Sequence, residues 1–218
     1  MKVLKAPQSG SLAGQTASRN RFGQYERTRA IPVNPSSSAQ GVARARLAAN
    51  SAAWRSLTSA QRAGWAGLGA SMVRSDSLGQ SYSLQGNQAH ASINNNRLET
   101  GLAVVTDAPG IVTPVAIVSV TITLGVAAFS IAYTATPLAA ATYLAVFASP
   151  QRSAGRNFEA DLRFMKMGAA AGASPLAILT EYTARFGVPV VGNRIFVSLI
   201  TYSLGFQSGP FTTSQVVA

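Results

Sequence analysis

The rhythm of apolar and polar positions changes near residue 105. Upstream, large apolar side chains recur at helical spacing; downstream, they alternate with period two. Ser36, Ser37 and Ser38 offer capping oxygens ahead of a helix predicted over 39–54, with Ala43, Leu47 and Trp54 near one face. Thr58 and Gln61 have the spacing of a capping box, in which hydroxyl and amide satisfy each other's free backbone N–H groups, so a second helix is expected to begin at Ser59. Trp65, Leu68 and Met72 line its apolar side. A turn at 76–79 leads to a third helical stretch over 84–99, stopped by Gly101 and weakened by the run Asn94, Asn95, Asn96. Leu47, Trp54, Leu57, Trp65 and Leu68 are the predicted helical core. So small a core needs a partner surface or the following domain.

Residues 108–151 carry no charge, and hydropathy alone flags a membrane segment within 111–147. Pro109, Pro114 and Pro137 interrupt the run, and it alternates. Val118, Val120, Ile122 and Leu124 face one way and Ser119, Thr121 and Thr123 the other; Phe129, Ile131 and Tyr133 alternate with Ser130, Ala132 and Thr134. These are strands. Further strands are expected over 142–148, 159–167, 176–179, 194–204 and 211–217, making seven at the spacing of an immunoglobulin-like or fibronectin type III-like sandwich. No tryptophan follows Trp65, so Tyr133 or Tyr143 is expected to fill the place of the buried tryptophan of such domains. The predicted fold class is α+β as separate domains: an extended basic arm (1–35), a helical region of about three helices (36–105), and the all-β sandwich (106–218).

Composition sharpens the arm. Its Gly, Ser, Gln and Asn content leaves little to bury, Arg19, Arg21, Arg27 and Arg29 flank Phe22 and Tyr25, and Pro32 and Pro35 close it. The net charge is +11, of which +10 lies in the first 75 residues, where Glu26 is the one acid. A half this basic meets something acidic: nucleic acid, a membrane surface or an acidic protein face. The first twelve residues lack the apolar run of a signal peptide. Charged residues make up only 11% of the chain, which suggests a surface largely covered by neighbours. There is no cysteine, which removes disulfides, zinc fingers and iron–sulfur sites.

Catalysis finds little to work with. His90 is the single histidine and reads as a surface or interface residue. Glu159 and Asp161 would share a strand face, but Arg156, Arg163 and Lys166 surround them, as on a charged strand edge. The stretch Gly168–Gly172 lacks the Gly-Lys-Ser/Thr ending of a phosphate loop and reads as a flexible loop. No catalytic residue, metal ligand or cofactor is expected, and no small-molecule substrate or membrane partner. Two readings of the arginines stand. Arg19, Arg21, Phe22, Tyr25, Arg27 and Arg29 would fix neighbouring protein subunits, since Arg and aromatic side chains dominate interface energetics. Alternatively they would bind nucleic acid, with Arg44, Arg46, Arg55, Arg62 and Arg74 extending the track.

The stretch Gly23-Gln24-Tyr25-Glu26-Arg27, then Pro32-Val33-Asn34-Pro35, Gln40, and Trp54-Arg55-Ser56-Leu57-Thr58 with Gln61, Arg62 and Trp65, resembles small virion proteins encoded among tailed-phage structural genes. In these a basic Gly-rich start precedes a Trp-x-x-Leu-Thr-x-x-Gln-Arg-x-x-Trp segment, an Asn-rich helix (here 87–97) and a variable β domain. The resemblance covers roughly the first 105 residues. The C-terminal half is similar to fibronectin-type modules of capsid, neck and tail proteins, with a short helical corner over 182–187. The resemblance implies a non-enzymatic virion component, assembled in the host bacterial cytoplasm, whose partners are copies of itself and other virion proteins.

Overall fold

A computed structural model describes residues 9–12, 14–31, 33–76, 78–134, 138–159 and 161–218. Pro32 and Pro137 therefore lie outside the described residues. The chain is mixed α+β and divides into two compact units, residues 1–43 and 44–218.

The first unit corrects the expectation of an extended arm. Strands β1 (Gly10–Leu12), β2 (Gln15–Asn20) and β3 (Gly23–Thr28) form an antiparallel sheet in the order β1-β2-β3. Its low apolar content argued against a packed core, and indeed none of its described side chains is buried. Backbone pairing does not need a core to form. The β2–β3 turn is closed by Asn20, whose Oδ1 accepts the Phe22 N–H at 2.9 Å, and by Gly23 at φ 119°, a conformation with little steric cost only for glycine.

Helix α1 (Ser38–Ser56) runs across the division between the units, and its one buried side chain is Asn50. Helix α2 (Ser59–Ser71) starts with both bonds of the Thr58/Gln61 capping box in place. The hairpin β4 (Val73–Ser75) and β5 (Ser81–Ser83) occupies the stretch around the expected turn, and α3 (Gly86–Glu99) follows. Leu57, Trp65, Leu68, Ala89 and Ile93 form the buried centre of the helical region, with Trp54 packed against it. Leu47 was expected in that core and is 58% exposed: the inward face of α1 centres on Asn50, and Leu47 falls to its side.

The chain then forms β6 (Ser119–Leu124), β7 (Phe129–Thr134), β8 (Thr142–Ala148), β9 (Arg152–Ser153), β10 (Arg163–Met167), β11 (Leu176–Ala177), α4 (Leu179–Phe186), β12 (Asn193–Ser203), β13 (Phe206–Gln207) and β14 (Phe211–Val216). One sheet runs β11-β7-β6. The other runs β10-β8-β12, with β14, β13 and β9 also pairing along β12, and every pairing is antiparallel. Phe129 and Ile131 of the first sheet and Leu144, Val146, Ile195, Val197 and Leu199 of the second share one core. The uncharged run that resembled a membrane segment is thus accounted for by β6, β7 and β8, and no helix among the described residues is long and apolar enough to cross a membrane.

Tyr133 is buried, its hydroxyl donating to the Gly172 carbonyl at 3.0 Å, whereas Tyr143 is half-buried. A second, fully buried aromatic anchor is Tyr182 on α4, edge-on to Phe129 and bonded through its hydroxyl to the Ser149 carbonyl at 3.2 Å. The strand expected over 159–167 begins only at Arg163. Glu159 and Asp161 precede it, so they do not share a strand face, and Asp161 pairs with Arg152. The Gly168–Gly172 stretch is pinned to β8 by bonds from the Gly168 and Ala171 N–H groups to the Leu144 and Thr142 carbonyls.

The boundary expected near residue 105 is bridged. Phe206, the first residue of β13, is part of the helical core, and Gly205, in the turn before it, packs directly on Ile93 of α3.

Candidate functional site

The six arm residues fall on one small sheet, though not as one row. Pairing places Tyr25 opposite Ser18 and Arg27 opposite Thr16 on one face; Arg19 opposite Gln24 and Glu26 opposite Ala17 lie on the other. Arg21 and Phe22 form the tip of the β2–β3 hairpin, where the guanidinium carbon stands 4.6 Å from the ring centre and Phe22 is 77% exposed. Arg29 follows β3, its backbone N–H bonded to the Gly14 carbonyl at 2.7 Å. The sheet therefore offers an arginine–aromatic tip, one face with Tyr25 and Arg27, and a second face on which Arg19 shares space with Glu26.

The arginines of the helices do not form a free cationic track. Arg46 is ion-paired with Glu99 across α1 and α3. Arg62 donates to the Arg55 carbonyl at 2.7 Å, tying α2 to the end of α1. Arg44 and Arg55, eleven residues apart, share the outward side of α1. Arg74 is half-buried on β4. Two of the five are thus committed to holding helices together.

The interior of the helical region is more polar than its sequence suggested. Each of the three consecutive asparagines binds a different segment. Asn94 accepts from the Val105 N–H at 2.9 Å and donates to the Val105 carbonyl at 3.1 Å; Asn95 accepts from Asn50 of α1 at 2.7 Å; Asn96 donates to the Gly205 carbonyl at 2.7 Å. Read for propensity alone, the run weakens a helix. Its side chains instead replace hydrophobic contacts with hydrogen bonds to a loop, a helix and a hairpin. Their consecutive amides at i, i+1 and i+2 point in three directions, which is the sequence signal that helix propensity passes over.

His90 corrects the surface expectation. It is 2% exposed, 5.6 Å from the Trp54 ring and 5.0 Å from the Trp65 ring, and its Nδ1 has no hydrogen-bond partner among the described residues. Burial lowers its pKa below the ordinary 6.5, so the neutral imidazole belongs to the folded state. The unfolded chain takes up a proton near its ordinary value while the folded chain resists. Stability is therefore full above about pH 6.5 and declines as the pH falls through the lowered folded value. Urea titrations of the wild type between pH 7.5 and 5 are expected to show this loss, and the His90→Leu variant a flatter profile; equal slopes would remove His90 as its source.

Among the described residues there is no cluster of three or more His, Asp or Glu side chains that would hold a metal ion. The chain matches no protein-family model, no curated protein and no solved structure. The residues themselves must carry the functional reading.

Proposed function

We propose that the protein is a non-enzymatic structural component of a tailed-phage virion, in the capsid, neck or tail, that assembles in ordered copies through its N-terminal sheet and helices. One observation carries this reading: residues 9–43 form regular sheet and helix without burying a single described side chain. A small sheet with both faces wet is marginal on its own. Whatever covers it supplies the missing free energy, and its exposed Arg21, Phe22, Tyr25 and Arg27 are the residue types that anchor protein interfaces. Helix α1 has the same character, with 19 residues, one buried side chain, and Val42 and Leu47 half exposed or more.

For the β region we propose a fibronectin type III-like module. Lettering the seven main strands A to G in chain order gives sheets A-B-E and D-C-F-G from the pairings of β6, β7 and β11 and of β10, β8, β12 and β14. The fourth strand thereby lies on the opposite sheet from the constant-type immunoglobulin order. Such modules serve as rigid, chemically inert building blocks, which suits an assembly role.

A second reading is favoured by charge. Residues 1–43 hold six Lys/Arg and one acid, net +5, and residues 44–218 hold twelve and six, net +6. Two copies of this chain repel at long range, so the arginine sheet has a better electrostatic partner in nucleic acid or an acidic virion protein than in a second copy.

Light scattering of the full-length chain with and without short duplex DNA, at low and moderate salt, separates the two. A defined oligomer indifferent to DNA is expected, and deletion of residues 1–34, or Arg21→Ser with Phe22→Ser at the hairpin tip, is expected to reduce it to monomer. Unchanged assembly of both variants would overturn the assembly reading. A monomer that binds DNA and releases it steeply with rising salt would establish the second reading instead.

A further inference from the structure

We infer that the cleft beside β4 is a binding site for a small organic anion, a carboxylate or phosphate group on a compact apolar body, held by Arg74. The cleft has a volume of ≈ 440 Å³ and lies where α2, β4, α3, the 112–114 segment and the β12–β13 turn meet. Arg74 lines it and is half-buried; its backbone pairs with Tyr82 of β5, yet its guanidinium makes no hydrogen bond or ion pair with any described residue. A half-buried guanidinium with no side-chain partner keeps its N–H donors available, and an anion in the cleft would form charge-assisted hydrogen bonds with them.

The acids of the helical region are engaged elsewhere. Asp76 Oδ1 accepts the Leu78 and Gln80 N–H groups at 2.8 Å within its own turn, Glu99 pairs with Arg46, and Asp107 accepts from Gln61 at 3.1 Å. The carbonyl end of α2, which closes at Ser71, gives Arg74 a partial negative field but accepts none of its N–H groups.

The rest of the lining fits the same ligand. Ser92, Thr113 and Gln207 bring two hydroxyls and an amide, none with a described side-chain partner, so all three are available as donors to anionic oxygens. Met72 and Phe206 form an apolar wall. A fork of donors facing a hydrophobic wall selects a carboxylate or phosphate carried on a ring or short chain over a bare ion. Because Phe206 and Gln207 form β13 while Arg74 and Ser92 belong to the helical region, the ligand would also strengthen the joint between them.

The test is a ¹H–¹⁵N spectral titration of the full-length protein with inorganic phosphate, acetate and benzoate. Saturable shifts are expected at Arg74, Ser92, Thr113 and Gln207, with benzoate binding about tenfold more tightly than acetate because its ring reaches the apolar wall. Arg74→Met is expected to weaken benzoate at least about tenfold and Arg62→Met to leave it unchanged. Thr113→Val and Gln207→Ala, at exposed positions, are each expected to weaken it about threefold, and they decide the matter should Arg74→Met fold poorly. Shifts that never saturate, or an Arg62→Met loss equal to that of Arg74→Met, would overturn the site in favour of diffuse attraction to a basic surface. The readout involves neither oligomer nor DNA, so it stands or falls apart from the assembly proposal.

Discussion

Trp65→Ala is expected to cost about 3–5 kcal/mol and to melt the helical region before the β region. Trp65 is fully buried, packs edge-on against His90, and donates its indole N–H to the Thr106 carbonyl at 2.7 Å. Truncation therefore removes the largest apolar volume of a small cluster, leaves the Thr106 carbonyl without its donor, and exposes the unpartnered Nδ1 of His90 to a void. The core has few other large side chains to collapse into that space. Urea denaturation followed by Trp54 fluorescence, with circular dichroism reporting the strands, checks the effect. Trp65→Phe separates its parts, keeping most of the packing and losing the hydrogen bond, for an expected cost of about 1–3 kcal/mol. A Trp65→Ala cost below 1 kcal/mol would mean that the helical core is not what holds this region.

Gly205→Ala is the second large effect, at about 2–5 kcal/mol. The residue has φ 97°, strained for any side chain, and an added Cβ would lie 2.6 Å from Ile93 Cγ2 and 2.8 Å from the Ile93 carbonyl oxygen. A backbone oxygen inside a helix cannot step aside, so the β12–β13 turn itself must retreat. It would draw Phe206 out of the helical core and break the Asn96–Gly205 bond. The variant is expected to unfold in two separated transitions where the wild type unfolds in one. Gly209→Ala, four residues on and with nothing near its added Cβ, is the control and is expected to change stability by less than about 0.5 kcal/mol. A single coincident transition in Gly205→Ala would show that the turn does not couple the two regions.

The same two sites mark how far the sequence could be read. Local signals translated directly. The Thr58/Gln61 capping box starts α2 at Ser59, and the alternation of Val120, Ile122 and Leu124 and of Phe129, Ile131 and Tyr133 becomes β6 and β7. Each depends on neighbours three or two residues apart, so it is written in a short window. The arm failed for the converse reason. Its polar composition rightly excluded a core, but backbone pairing between β2 and β3 is specified by an Asn-Arg-Phe-Gly turn rather than by burial. Leu47 was misplaced because a helix with a polar inward face gives no apolar stripe from which to find that face.

For the candidate site, the residue types of the arginine–aromatic tip were legible, while their division between two faces and a tip waited on strand register. The Arg74 cleft was not legible at all. Its walls come from four separate segments spread over residues 71–207, and nothing in the sequence near Arg74 indicates that it lacks an acidic partner.

By itself, then, the sequence determined the helices, the main β strands, the position of the basic half and the scarcity of catalytic groups, since these follow from local periodicity, capping and composition. Tertiary structure alone decided that His90 is buried between two tryptophans, that three asparagines bind three segments, that Phe206 completes the helical core, and that Arg74 lines a cleft with no ion-pair partner among the described residues. Those facts depend on contacts between residues tens of positions apart, and only the folded chain brings them together.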